Sequence, residues 1–115
     1  MSATMLNMQA LADAKLTQEP FSYIIVPNFI KDAALPGIEA DFPQIEVPGS
    51  LPLASLRYGA QFKQFMQEIQ GPEMTALVAQ KFAIDLRRRP TMVTVRGKCR
   101  ASDGQIHTDS KTKLI

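Results

Sequence analysis

The chain has 115 residues, of which 45% are hydrophobic and 21% charged, and this excludes a disordered polar chain and fits one globular domain. Thirteen Lys and Arg against eleven Asp and Glu give +2, too little by itself to argue for a nucleic-acid or membrane partner. The one cysteine, Cys99, excludes an intramolecular disulfide framework and a Cys-rich zinc site, and fits a reducing compartment such as the cytoplasm.

In chain order, Met5, Leu6, Met8, Ala12 and Leu16 fall near helical spacing and predict a helix over 4–16, with Ser2 or Thr4 as its N-cap. No basic segment precedes an apolar core here, so the stretch does not read as a signal peptide. Phe21 to Phe29 is aromatic and β-branched and predicts a first strand. Its Tyr23-Ile24-Ile25-Val26 is the longest strictly apolar run, far below the roughly 18 residues of a membrane helix. After Lys31-Asp32, Pro36-Gly37 limits any helix to Asp41 to a short or irregular one.

Residues 42–60 hold Pro43, Pro48, Gly49, Pro52 and Gly59 and read as a loop, a candidate substrate lid. Phe62, Phe65, Met66 and Ile69 predict a helix over 61–69 with a core-facing side, and Gly71-Pro72 opens another over 72–86. Arg87-Arg88-Arg89 then reads as a solvated helix end favoured by the helix dipole, and Pro90 separates it from a strand beginning at Thr91-Met92-Val93-Thr94-Val95. Along that strand Thr94, Arg96, Lys98 and Arg100 alternate onto one face, a wet face or one that attracts an acidic substrate. Cys99 falls on the other with Val93 and Val95.

Charge is uneven along the chain. Residues 1–86 carry five basic and nine acidic side chains, and residues 87–115 carry eight and two. Asp103-Gly104 is a two-residue hairpin signal, and the strand returning from Gln105 places His107 and Asp109 on one face. An imidazole and a carboxylate two positions apart are two of the three donors of a 2-His-1-carboxylate facial triad, although a His-x-Asp triplet alone is a weak signal.

Val93-Thr94-Val95-Arg96-Gly97-Lys98 with Gly104-Gln105-Ile106-His107-Thr108-Asp109-Ser110-Lys111 resembles the iron-ligand region of the Fe(II)- and 2-oxoglutarate-dependent oxygenases, in the prolyl 4-hydroxylase-like branch. Pro20-Phe21-Ser22-Tyr23-Ile24-Ile25-Val26-Pro27-Asn28-Phe29-Ile30 resembles that branch's opening strand. The resemblance implies an α+β fold in which 1–90 supports the first strands, 91–115, of a double-stranded β-helix, a jelly-roll relative, truncated here. It implies His107 and Asp109 as iron ligands, with Fe(II), 2-oxoglutarate and O₂ used to hydroxylate a C–H bond of a peptidyl or small-molecule substrate.

The family pattern also needs a second His and a later Arg that anchors 2-oxoglutarate. His107 is the only histidine, and six residues follow Asp109, so residues 1–115 alone are expected to be inactive. The other reading is a non-catalytic interaction module whose basic C-terminal quarter binds an acidic partner. The scarcity of aromatics near the Arg run, where only Phe82 lies close, weighs against nucleic acid. The chain's end at Leu114-Ile115 would be an open sheet edge able to pair with another copy.

Overall fold

Apolar residues at intervals of three and four organise the helical part of the chain. In a computed structural model, which describes residues 4–97 and 113, they form α3 (Ala60–Ile69), with Phe62 and Met66 buried. Phe62 is 1% exposed, and its ring meets those of Phe42, Tyr58 and Phe65 edge to face at centroid distances of 5.1, 5.2 and 6.0 Å. Met5, Leu6, Leu11 and Ile38 are also buried.

The chain divides into two compact units, one of residues 1–44 and 57–92 and one of residues 45–56 and 93–115. The architecture is α+β: helices, and one two-stranded antiparallel sheet among the described residues.

In the first unit, the helix expected over 4–16 is only α1 (Met8–Asp13). Its N-cap is Asn7, not Ser2 or Thr4, and the Asn7 side chain accepts from the Ala10 N–H at 3.1 Å. Residues before Asn7 are drawn off the helix by longer-range bonds, with Lys31 N–H donating to the Met5 carbonyl at 2.8 Å and Asn7 N–H to Phe29 at 2.7 Å. The C-terminal carbonyls are capped by Lys81, whose Nζ donates to Ala12 and Ala14 at 2.6 and 2.5 Å.

The strand expected over 21–29 does not form among the described residues. Two isolated bridges, Thr17 with Tyr23 and Leu6 with Ile30, stand in its place. A turn at Pro27-Asn28, with Asn28 at φ 57°, ends the extended stretch, and Phe21 and Ile25 stay 66% and 74% exposed. A 3-10 turn (Asp32–Ala34) leads into α2 (Leu35–Ala40), short as expected, with Pro36 tolerated in its first turn.

α3 has no side-chain cap of its own at Gly59; the Asp41 carboxylate supplies one, accepting from the Gln61 N–H at 2.7 Å. A Cβ at Gly59 would collide with that carboxylate, so glycine is what lets Asp41 reach. α4 (Pro72–Phe82) begins with Pro72 after Gly71, as the dipeptide predicts. It ends four residues short of the expected Leu86. Ala83 turns left-handed at φ 53°, its N–H donating to Gln80, and Ile84 N–H donates to Ala79 at 3.0 Å, a Schellman closure built without glycine.

In the second unit, β1 (Ser50–Pro52) pairs antiparallel with β2 (Thr94–Arg96) in the register Ser50 to Arg96, Leu51 to Val95 and Pro52 to Thr94. The stretch expected to be all loop thus holds β1 and a 3-10 turn (Leu53–Ser55), because Pro52 can end a short edge strand. The strand expected from Thr91 starts at Thr94. Beyond β1–β2, Leu53 N–H donates to Val93 at 3.2 Å and Gly97 N–H to Gly49 at 2.7 Å. Gly49 takes φ 98°, which only glycine adopts readily. No described helix is long and apolar enough to cross a membrane.

Candidate functional site

β2 is the described element that leads toward the His-x-Asp motif. Its alternation follows the sequence: Val95 is buried, and Thr94 and Arg96 are exposed. Residues paired across an antiparallel ladder share a face, so Ser50 and Pro52 join Thr94 and Arg96 on the outer side, and Leu51 joins Val95 on the inner. Gly97 closes the strand in tight contact: a Cβ there would overlap the Val47 carbonyl oxygen and lie 2.7 Å from Ile45 Cγ2. The expected iron ligands His107 and Asp109, with Lys98, Cys99, Arg100, the Asp103-Gly104 turn and the Leu114-Ile115 edge, lie outside the described residues.

Arg87-Arg88-Arg89 is not a helix end. The Schellman closure at Ala83 and Ile84 leaves the three arginines on an exposed loop beyond α4, out of reach of its dipole. The Asp85 carboxylate accepts from the Arg87 backbone N–H at 3.0 Å, from Nε at 3.1 Å and from Nη2 at 3.0 Å. These charge-assisted bonds hold the Asp85 carboxyl down at about 2, against an ordinary 3.8. Arg88 follows at φ 62°, and the run 87–92 is exposed throughout.

Within the helical unit, an open cleft of about 650 Å³ is lined by Thr4, Met8, Lys63, Gln67, Glu68 and Glu73, among others. Glu68 is already committed. Its Oε1 accepts from the N–H groups of Met5 and Leu6 at 2.8 and 3.0 Å, and its Oε2 from Met5 at 3.0 Å and from Gln64 Nε2 at 3.0 Å. Such a carboxylate anchors the N-terminal segment to α3 and is poorly placed to act as a base or ligand. Sequence periodicity passed over it, because a polar residue beside an apolar helical stripe reads as solvent-facing. Among the described residues no three His, Cys, Asp or Glu side chains gather as a metal site.

Comparison of the chain with protein-family models, with curated proteins and with solved structures finds no match.

Proposed function

We propose that this chain supplies two iron ligands, His107 and Asp109, of an Fe(II)- and 2-oxoglutarate-dependent dioxygenase that hydroxylates a C–H bond in the cytoplasm. The observation that carries the reading is the His-x-Asp triplet after the Asp103-Gly104 dipeptide, in a stretch of sequence that follows β2 and its in-and-out alternation. Strands of that alternation are what a double-stranded β-helix is built from, and the proposed fold of the complete enzyme is that jelly-roll relative.

The donor set suits Fe(II). A neutral imidazole and a carboxylate meet the ligand preference of a facial triad that leaves positions open for co-substrates. When bound, the iron supplies oxygen activation coupled to decarboxylation of 2-oxoglutarate to succinate and CO₂. The part of this chain is to hold the ion through His107 and Asp109, and to present the cationic side chains Arg96, Lys98 and Arg100 to an acidic co-substrate or substrate. Residues 1–115 hold one histidine, so a two-histidine triad needs a second imidazole that they do not supply.

The test is succinate formation by the protein as encoded in its native reading frame, assayed with Fe(II), 2-oxoglutarate and O₂. Succinate above background that His107→Ala and Asp109→Ala each remove is the expected result, with none from residues 1–115 alone. A native protein that makes none, yet binds an acidic partner with steep salt dependence, overturns the reading in favour of an interaction module.

A further inference from the structure

We propose that the Arg88–Arg89 peptide bond is a cleavage site for an endoprotease specific for paired basic residues, with Asp85 as the latch that slows the cut. Thirteen Lys and Arg are spread along the chain, and only Arg87, Arg88 and Arg89 are adjacent to one another. A protease with two acidic subsites, reading two neighbouring guanidinium groups, therefore has one place to bind. Pro90 blocks the bond after Arg89, which leaves Arg88–Arg89, preceded by Arg87, as the bond with a basic pair before it and no proline after it.

The structure makes that bond reachable. Residues 87–92 form an exposed run between α4 and β2, with no helix or ladder across it. Surface loops of this kind are where chains are nicked, because little structure must open first. Two features must yield before the segment lies extended in a protease cleft. One is the left-handed turn at Arg88, held by the Arg89 N–H bond to the Leu86 carbonyl at 3.1 Å. The other is the grip of Asp85 on Arg87, whose guanidinium and N–H are both engaged.

Cleavage adds water across the bond, leaving a carboxylate on Arg88 and an α-amino group on Arg89. The products are the piece ending at Arg88, which keeps β1, and the piece beginning at Arg89, which carries β2 and the His-x-Asp motif. β1 and β2 pair across the cut, so the readout is mass under denaturing conditions, which separates products whether or not they stay associated.

The experiment treats the full chain with a purified dibasic-specific subtilisin-like protease and follows products by denaturing mass spectrometry. One product ending at Arg88 and one beginning at Arg89 are expected, with Arg88→Gln uncut and Arg88→Lys still cut. Asp85→Ala, which removes the acceptor and frees Arg87 without touching the cleaved bond, is expected to raise the rate about threefold or more. An uncut chain, a first cut elsewhere, or an Asp85→Ala rate equal to the parent's overturns the proposal. The outcome is independent of the succinate assay, since neither Arg88 nor Asp85 belongs to the proposed iron site.

Discussion

Glu68→Ala tests how the N-terminal segment is held to the helices. The substitution removes the acceptor for two backbone donors, Met5 N–H and Leu6 N–H, on residues only 4% and 2% exposed. A buried donor left unpaired costs about 1–3 kcal/mol. The adjoining cleft is open and admits water to part of the site, which places the cost near the lower half of that range for each donor, about 2–4 kcal/mol together. That is a large share of the roughly 5–15 kcal/mol that keeps a domain folded.

Glu68→Gln should lose less, about 1 kcal/mol. Its carbonyl oxygen can take the Oε1 position that serves both Met5 and Leu6, and its amide can meet a flipped Gln64. The assays are denaturant unfolding, read as a midpoint shift at constant slope, and amide exchange at Met5 and Leu6. A Glu68→Ala variant within about 0.5 kcal/mol of the parent, with Met5 and Leu6 still protected, refutes the anchoring role. Equal losses in both variants refute the shared-acceptor geometry.

Gly97→Ala should disrupt the β1–β2 pair by about 1–3 kcal/mol, because the new Cβ meets the Val47 carbonyl and the Gly97 N–H bond to Gly49 must give way. Loss of the Leu51 to Val95 cross-strand contact by NMR is the expected sign, and an unchanged contact contradicts it. Asp85 should titrate at about 2, moving back toward 3.8 in Arg87→Ala or at high salt. Its folded value lies below its ordinary one, so its contribution is complete above about pH 4 and is lost as pH falls toward 2. A carboxyl ¹³C titration with a midpoint near 3.8 in the parent refutes the pairing.

Much of the helical half was legible because its signals are local. The spacing of Phe62, Phe65, Met66 and Ile69, and the Gly71-Pro72 start, depend only on residues a turn apart, and α3 and the start of α4 follow them. Local signals misled where a distant partner or an unusual backbone competed. Thr4 to Asn7 have helix-compatible residues but bond to Glu68 and to the 29–31 segment, which shortens α1. Ala83 carries a left-handed closure that sequence normally signals with glycine, so no local signal shows that the arginines lie beyond the helix. Phe21 to Phe29 has strand propensity but pairs only through isolated bridges, since propensity supplies no partner.

Of the candidate site, the alternation of Thr94, Val95 and Arg96 was readable from a period of two, and β2 shows it. Its pairing with Ser50–Pro52 was not, because that strand lies among prolines and glycines and exists only through its partner. The charge division, the single adjacent run of basic residues and the His107-x-Asp109 pair are properties of residue order alone. That Glu68 is an anchor, that Asp41 caps α3 and that Asp85 holds Arg87 emerges only once the chain is folded. Each of those depends on where a carboxylate's lone pairs find N–H groups in space, and in two of the three the partner is far away in the chain.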